Sequence, residues 1–468
     1  MITLSDESSQ PLYMQIYGQL KAHILAGELG QGSRLTSIRA LARELGVGKN
    51  TITYAYEQLC AEGYIENRAR SGFFVAALDP GLVLPPAAAV PEASAEAGDE
   101  ASRGGIALTH DFRYGRLSAG DFPLGQWRKI THQVLGGFEA ERMADYPSAK
   151  GELGLRRRLK DYLAASRGVR CRTEQIIMGP GTQWCMSILC RLMAPGAVAM
   201  EDPGYDGVRH VFSIHGRKLI PVPVGERGLD PDTLEALDAR ALYITPSRQF
   251  PTGTVMPIQN RLRILEWAYR RKAIVLEDDY DSEFRYAGRP IPSIQSIDSR
   301  GCVVYLGTAS KALSPALRLS YMVLPEALLA RYHALYDRYA SPVPWLEQKV
   351  FEIFIRDGHW ERHLRRICLA NSRRHAALVK AIGRCMGDDV KIWGEKAGLQ
   401  LLVEFRNGLS EAEALARAAQ AGVKVYPVSQ YWMDPGRYGG NMVLLGFAGM
   451  AVETIPAGVE KLARAWLD

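Results

Sequence analysis

Three segments near the amino terminus carry apolar residues at helical spacing. In the first, apolar residues stand four apart, which predicts a helix over about 11–26. The second and third follow an i, i+3, i+4, i+7 pattern, so we expect a helix beginning near Thr36 or Ser37 and another over about 49–62. The segments YIENR and FFVA then flank a turn at 69–72 and predict two strands joined by that turn.

Further along, short apolar runs alternate with amphipathic segments. The predicted strands are 175–179, 197–202, 241–245, 273–278, 302–307 and 320–324. Amphipathic segments such as 181–193 and 257–271 fall between them, and this alternation is typical of an α/β fold with a mostly parallel sheet covered by helices. A long basic helix at about 360–386, followed by shorter elements, predicts a smaller α+β part at the carboxyl end.

A break in composition separates these two patterns. Residues 79–105 are rich in Pro, Ala, Glu and Gly and contain almost no large apolar side chains. Such a stretch buries too little surface to offset the entropy of ordering it, so we interpret it as a flexible linker. The chain is therefore predicted to consist of a head at 1–78, this linker, and a body at 106–468.

Composition narrows the class of protein. The 468 residues are 47% hydrophobic and 23% charged, as in globular proteins with more than one domain. The first residues, MITLSDESSQ, lack the features of a signal peptide, and no apolar run reaches the roughly 20 residues of a membrane helix. We therefore expect a cytoplasmic protein with no membrane partner. The seven cysteines are scattered without a C-x-x-C pair, which predicts neither a disulfide framework nor a metal site.

The order of elements in the head is that of a winged helix, in which the second helix of a helix–turn–helix pair enters the major groove of DNA. The net charge of the head does not indicate DNA binding, because residues 1–78 carry seven basic and seven acidic side chains. Placement is more informative: Lys49, Asn50 and Thr51 crowd the amino-terminal end of the third helix, and Arg70 lies at the hairpin tip. A small helical subdomain with no DNA role would show the same spacing.

The segment 11–75, from PLYMQ to GFFV, resembles the winged helix of GntR-type regulators along nearly its whole length. The resemblance implies a double-stranded DNA operator contacted by Arg39, Lys49, Asn50, Thr51, Arg70 and Gly72. The chain departs from the family at Thr36, usually Pro, and at Gly48-Lys49, usually Ser-Arg. Because Lys cannot pair with guanine through two N–H groups as Arg does, these changes put the operator sequence in doubt more than DNA binding itself.

In the body, polar side chains follow predicted strands, at the sheet edge where ligands of parallel sheets bind. Asp278 ends the strand AIVLED, and Tyr280 lies two residues on, so in an extended chain it points to the same side. Lys311 follows the next strand, within GTASKALSPALRLSY. An amine and a carboxylate are what pyridoxal phosphate needs from its protein, and Tyr280 could then bond the hydroxyl group of its ring. Alone, Lys311 could be a surface lysine, and Asp278 a helix cap or an ion-pair partner of Arg285.

A cradle for an anion is predicted beside these groups. Gly179–Gln183 opens a helix directly after a strand, and helix amino termini attract phosphate. Arg318 can pair with a phosphate through two N–H groups, and Ser310 and Thr308 can add hydroxyl donors. Tyr205, in EDPGYDG after another strand, can stack on a cofactor ring, although an ordinary loop aromatic would fit the same pattern.

Over roughly 106–468 the chain resembles the fold-type-I aminotransferases, and TPSRQFPTG, EDDYDSEFRY and GTASKALSPALRL are similar to motifs of the MocR subfamily of GntR-type regulators. The resemblance implies pyridoxal 5'-phosphate as the cofactor, with a Schiff base at Lys311 and the ring nitrogen on Asp278. It further implies ring stacking by Tyr205, phosphate contacts from Gly181, Thr182, Ser310 and Arg318, and a homodimer whose heads reach paired DNA half-sites.

Two departures from working aminotransferases concern substrate binding. Enzymes of this fold commonly carry an Arg before Leu-Gly-Phe to clamp a substrate carboxylate, where this chain has Leu444. Phe250 occupies the position of an Asn that often contacts the ring hydroxyl. A leucine cannot pair with a carboxylate. Arg209 and Arg248 are nearby charges that could substitute, unless both are structural or solvated.

Three hypotheses follow for the whole chain. In the first, it is a pyridoxal-phosphate-dependent transcription regulator that senses an amino compound or the B6 vitamer and changes its DNA binding. In the second, it is a functional aminotransferase with an accessory DNA-binding head, against which Leu444 argues. In the third, the body only dimerises. A half-reaction of the aminotransferase type is compatible with the first two hypotheses, so enzymatic activity stays open.

Overall fold

The computed structural model describes residues 2–5, 10–78, 108–137, 142–286 and 292–467. The chain divides into two compact units, Met1–Gly104 and Gly105–Asp468. The first unit contains the head and the second contains the body. The predicted linker at 79–105 lies outside the described residues.

The head consists of three helices followed by an antiparallel hairpin, within its described residues. Its elements are α1 (Leu12–Leu25), α2 (Ile38–Leu45), α3 (Lys49–Ala61), β1 (Ile65–Arg68) and β2 (Gly72–Val75). Most residues of the apolar stripes seen in the sequence face inward, and Ile16, Ile52 and Tyr56 are fully buried in one shared core. Leu12, at the start of α1, is an exception with 37% exposure. Ser37 caps α2, because its hydroxyl accepts a hydrogen bond from the Ala40 amide at 3.3 Å.

The body is built on a mixed sheet of eight strands within the described residues. In sheet order these are β4 (Ile176–Gly179), β11 (Ser320–Val323), β10 (Val303–Thr308), β9 (Ile274–Asp279), β8 (Ala239–Ile244), β5 (Ala197–Asp202), β6 (Leu219–Gly225) and β7 (Gly228–Leu229). The central pairs are parallel, as predicted, whereas β11 runs antiparallel to both of its neighbours. The carboxyl ends of β9 and β10 therefore lie side by side, which brings the segments after them together.

Helices cover both faces of this sheet. They are α4 (Leu124–Leu135), α5 (Leu153–Arg167), α6 (Thr182–Leu192), α7 (Asp206–Ile214), α8 (Ile258–Arg271), α9 (Glu326–Tyr336) and α10 (Trp345–Arg356). Successive residues of β4 show the two faces: Ile177 packs in a core with α6, α7 and α9, while Met178 packs with α4, α5 and α10. Such burial on both faces explains why the strands read as continuous apolar runs.

A smaller α+β part completes the body. Its elements are α11 (His359–Met386), β12 (Val390–Trp393), β13 (Gln400–Phe405), α12 (Glu411–Gln420), β14 (Val423–Lys424), β15 (Tyr426–Pro427), β16 (Met442–Gly446) and α13 (Ile455–Leu467). An antiparallel sheet in the order β12-β13-β16-β15 packs against α11, α12 and α13. The strand β3 (His110–Asp111) pairs with β14 and so ties the beginning of the body to this part.

The strand β6 was missed in the sequence. Its residues LIPVPVG contain Pro221 and Pro223, which normally argue against a strand. The two prolines are tolerated because β6 lies near the edge of the sheet, with β5 on one side and only the two-residue β7 on the other. Among the described residues, no helix combines the length and the apolarity needed to cross a membrane.

Candidate functional site

A cavity of about 190 Å³ opens at the carboxyl ends of the body's strands. It is lined by Tyr114, Gly181, Thr182, Gln183, Tyr205, Tyr243, Thr245, Phe250, Asp278, Tyr280, Thr308, Ser310, Lys311, Pro315 and Arg318. The cavity therefore brings together the residues that the sequence suggested for the cofactor, namely Lys311, Asp278, Tyr280, Tyr205, Gly181, Thr182, Thr308, Ser310 and Arg318. The topology explains this, because Asp278 ends β9, Thr308 ends β10 and Gly181 follows β4.

One carboxylate oxygen of Asp278 accepts a hydrogen bond, and the other, the spare oxygen, has no partner among the described residues. Its Oδ2 accepts a hydrogen bond from the Tyr243 hydroxyl at 2.7 Å, whereas Oδ1 is buried without a partner among the described residues. The residue is 4% exposed, and burial raises the pKa of its carboxyl from 3.8 to about 7, although the bond from Tyr243 acts in the opposite direction. A buried acceptor of this kind calls for a donor, and a protonated ring nitrogen would satisfy it.

The amine of Lys311 lies over the ring of Tyr114, 4.2 Å from its centroid. Burial lowers the pKa of Lys311 to about 8, while the neighbouring carboxylates of Asp281 and Asp278 raise it. A lysine with such a pKa is partly unprotonated near neutral pH, as attack on an aldehyde requires. Tyr114 was not predicted from the sequence, because it lies in a loop after β3, far along the chain from the other cavity residues.

Backbone and side-chain donors gather where α6 begins. Gly181 has φ 122°, a conformation that residues with a side chain rarely adopt, so this position calls for glycine, and it lies directly against the guanidinium of Arg318. The Thr308 hydroxyl donates to Ser310 Oγ at 2.9 Å, and the Ser310 amide donates to Thr308 Oγ1 at 3.1 Å. A helix amino terminus, an arginine and two hydroxyl groups together suit a phosphate.

One wall of the cavity is aromatic. The ring of Phe250 lies 5.4 Å from that of Tyr114, 5.7 Å from that of Tyr205 and 6.2 Å from that of Tyr280, between ring centroids. Leu444, which is 0% exposed, belongs to the same apolar cluster as Phe250. The two departures noted in the sequence are therefore neighbours in space.

Neither of the two arginines considered as substitutes lines the cavity. Arg248 is 2% exposed and forms an ion pair of 2.9 Å with Asp281. Arg209 lies on α7, where it donates to the backbone carbonyl of Gln430 at 2.6 Å. The interpretation of both as structural agrees with these contacts. The alternative ion pair of Asp278 with Arg285 is absent from the contacts of the described residues.

In the head, the residues predicted to contact DNA lie on the surface. Arg39, Lys49, Asn50 and Arg70 are exposed, and Thr51 is half-buried. The wing residue Gly72 is also half-buried and has φ 105°. Tyr54, also on α3, is open to solvent as well, with 59% of its surface exposed. Gly48 offers no side chain to cap α3, and the Thr51 amide donates to the Gly48 carbonyl at 3.0 Å, so the positive end of this helix is not covered by a capping side chain.

Comparisons with known proteins match both units. The family described as bacterial regulatory proteins of the gntR family matches residues 12–75, and aminotransferase class I and II matches residues 115–453. The HTH-type transcriptional regulator YdeL of Bacillus subtilis is 37% identical over 97% of each chain. The probable rhizopine catabolism regulatory protein MocR of Rhizobium meliloti is 34% identical over 100% of this chain and 96% of its own. This chain is a MocR-type member of the GntR family of transcription regulators.

The body of this MocR-type regulator has the fold-type-I aminotransferase fold. A kynurenine aminotransferase from Pyrococcus horikoshii superposes with a TM-score of 0.69 at 25% identity, covering 76% of this chain and 90% of its own. The predicted fold, the DNA-binding family and the cofactor, pyridoxal 5'-phosphate, are thereby confirmed. The spare oxygen of Asp278 and the glycine required at position 181 are features that fit this cofactor.

Proposed function

We propose that this MocR-type chain is a cytoplasmic homodimer that senses an amino compound or a B6 vitamer in its body and responds by changing operator binding through its heads. The observation that carries the proposal is the cavity in which Lys311, Asp278 and Arg318 meet, in a chain that also has a GntR head. A ligand can act only by binding two states of the protein with different affinity, so occupancy of the cavity must favour one DNA-binding state.

Eight of the cavity residues have a proposed role toward the cofactor. When bound, pyridoxal phosphate supplies an aldehyde that captures amines and a ring that accepts electrons. We assign the covalent bond to Lys311 and the ring-nitrogen proton to the spare oxygen of Asp278. Tyr205 would stack on the ring and Tyr280 would contact its hydroxyl group. The phosphate is assigned to Gly181, Thr182, Ser310 and Arg318.

For the heads, we propose that the amino-terminal end of α3 enters the major groove. Lys49, Asn50 and Thr51 would contact phosphates or base edges there, Arg39 would contact the backbone from α2, and the wing around Arg70 and Gly72 would reach the adjacent groove. A homodimer with twofold symmetry implies two half-sites in the operator.

Sustained transamination is not part of the proposal. The position of the carboxylate-clamping arginine holds the buried Leu444, and Arg248 is held by Asp281. A panel of amines and oxo acids tests this point. Steady-state keto-acid formation at about 1 per second or faster would make the chain an ordinary enzyme and contradict us.

The test of the regulator uses the purified full-length protein and the intergenic DNA beside its own gene. We expect a dimer in analytical ultracentrifugation and a shift of that DNA whose affinity changes when pyridoxal phosphate or an amine is added. Protein that takes up the cofactor but shows the same DNA affinity with and without every ligand would refute the sensing role.

A further inference from the structure

The apolar wall of the cavity continues into the core of the small α+β part. Leu444 lies on β16, where it pairs with Leu402 of β13, and both residues are almost fully buried. They pack in one cluster with Phe250, which is 3% exposed and reaches the cavity. Phe250 therefore forms an apolar part of the cavity wall, with Tyr114 and Tyr205 beside it and the two leucines packed in the cluster behind it.

Few positive charges remain for a ligand. Among the described residues, the cationic side chains that line the cavity are Lys311 and Arg318. The proposed function uses Lys311 for the covalent bond and Arg318 for the phosphate. A carboxylate on an incoming amine would therefore need a third cation.

Arg248 cannot serve as that cation without breaking its own contacts. Its Nε donates to the Ala397 carbonyl at 2.9 Å, its Nη2 donates to the Gln400 carbonyl at 2.8 Å, and its Nη1 contacts Asp281 at 2.9 Å. Nη1 also donates to the Tyr280 hydroxyl at 3.1 Å and to Gln400 Oε1 at 2.8 Å. Turning the guanidinium toward a ligand would leave Asp281 buried with its charge unpaired, which is strongly unfavourable.

Space around Arg248 is equally restricted. Gly398 has φ 87°, and a Cβ atom there would overlap the Arg248 guanidinium, which shows how closely the backbone encloses it. Arg209 is occupied with the Gln430 carbonyl. A ligand carboxylate would instead be desolvated against Phe250 and close to the acidic side chain of Asp278, with no cation among the described lining residues beyond Lys311 and Arg318 to pair with it.

We infer that the body of this regulator selects primary amines that lack an α-carboxylate and carry an apolar or aromatic substituent. The amine is required by the chemistry at Lys311, and the substituent would pack against Phe250 and Tyr205. The inference rests on the proposed function and narrows its ligand from any amino compound to this class.

The test compares matched ligands on the cofactor-loaded, full-length protein. Phenethylamine is titrated against phenylalanine, and tryptamine against tryptophan, with binding followed by the visible absorbance of the bound cofactor. We expect each amine to bind about tenfold or more tightly than its amino acid, since the amino acid must bury an unpaired charge. Equal or tighter binding of the amino acids overturns the inference.

Failure of the inference can be told apart from failure of the proposed function. Operator binding is measured on the same samples, with and without the cofactor. If no amine changes the absorbance while the cofactor still alters operator binding, the inferred ligand class is wrong, but the proposed function as a regulator is retained. If the protein never takes up the cofactor, the proposed function falls, and the inference falls with it.

Substitutions in the apolar cluster test whether Leu444 and Phe250 cause the selectivity for amines. Leu444→Arg combined with Phe250→Asn restores the residue types common in aminotransferases, and it should reduce the preference for amines about threefold or more. Leu444→Met is the matched control, because it keeps the wall apolar at similar volume and should preserve the preference. A folded double variant with undiminished preference overturns the inference. The matched ligands on the unaltered protein decide the matter even if the double variant does not fold.

Discussion

The two functional regions of this molecule differ in how they hold their charges. In the head, Arg39, Lys49 and Arg70 stand exposed on helices and a turn, where their role needs only correct placement. In the body, Asp278 and Lys311 are buried at the cavity. This burial raises the pKa of Asp278 to about 7 and lowers the pKa of Lys311 to about 8. Substitutions in the body should therefore alter both chemistry and stability, while those in the head should alter DNA affinity in a salt-dependent way.

The largest effect is expected at the cavity amine. Lys311→Ala removes the group to which we assign covalent attachment, so borohydride reduction of the cofactor-loaded variant should leave no added mass, whereas the unaltered protein should gain one cofactor. Intact-protein mass spectrometry measures this directly. The exposed Lys380→Ala on α11 is the control and should behave like the unaltered protein. Cofactor trapped on the Lys311 variant would show that another amine forms the bond.

The next effect concerns the buried ion pair beside the cavity. Arg248→Ala leaves Asp281 buried without its partner, and we expect the free energy of unfolding of the body to fall by about 3–5 kcal/mol. Urea unfolding followed by tryptophan fluorescence provides the measurement. Arg270→Ala removes an arginine from an exposed pair with Glu235 and should cost less than about 1 kcal/mol. Equal losses in the two variants would contradict the enclosed position of Arg248.

Burial of Asp278 predicts a pH dependence of stability in the cofactor-free protein. Its carboxyl has a pKa raised from 3.8 to about 7 by folding, so the folded state binds the extra proton between these values. The contribution to stability is therefore complete below about pH 4 and is lost as the pH rises through about 7. Asp278→Asn lacks this titrating group. Between pH 4 and pH 8 its free energy of unfolding should therefore rise by about 2–4 kcal/mol relative to that of the unaltered protein.

The experiment for Asp278 is a pair of urea titrations at the two pH values, on each protein without cofactor. Other buried acids, such as Glu201, also have raised pKa values, but they are present in both proteins and cancel in the difference. If the stabilities of the two proteins run parallel from pH 4 to pH 8, the carboxyl of Asp278 is not held in its protonated form.

The exposed charges of the head are tested by the salt dependence of operator binding. Arg39→Ala should weaken operator binding by about 1 kcal/mol and lower the slope of log K against log salt by about 1, because one phosphate contact is lost. Filter binding at several salt concentrations measures both quantities. Lys21→Ala removes the same charge from α1, where Lys21 pairs with Glu62 at 3.0 Å, and should leave the slope unchanged. An unaltered slope for Arg39→Ala would remove that residue from the interface.

The same contrast explains what could be predicted from the sequence. The helices of the head were located to within about two residues, because their inward stripes repeat locally and Gly46 and Gly48 mark the turn. In the body, strands rich in Val, Ile and Leu were found, but the antiparallel direction of β11 leaves no mark in its own residues. Direction depends on which strands β11 lies between, which is a property of the whole sheet.

The cavity shows the same limit. Asp278 and Lys311 could be found because each lies in a motif next to a strand. The confinement of Arg248 could not be found, because its partners Ala397 and Gln400 come about 150 residues later, in the small α+β part. Local pattern identifies which groups can do chemistry, whereas their availability to a ligand depends on contacts made across the fold.

The smallest effect is expected at the beginning of α2, where the sequence left two candidates for the cap. The Ser37 hydroxyl accepts from the Ala40 amide, so Ser37→Ala should lower the free energy of unfolding of the head by about 0.5–1 kcal/mol. Thr36→Ala is the matched control: Tyr56 donates to the backbone carbonyl of Thr36 at 2.7 Å, a bond that the substitution preserves. Denaturation followed by circular dichroism measures both variants. A larger loss for Thr36→Ala would show that α2 begins one residue earlier. A loss confined to Ser37→Ala that also weakens operator binding would show that the position of Arg39, two residues later, depends on this cap.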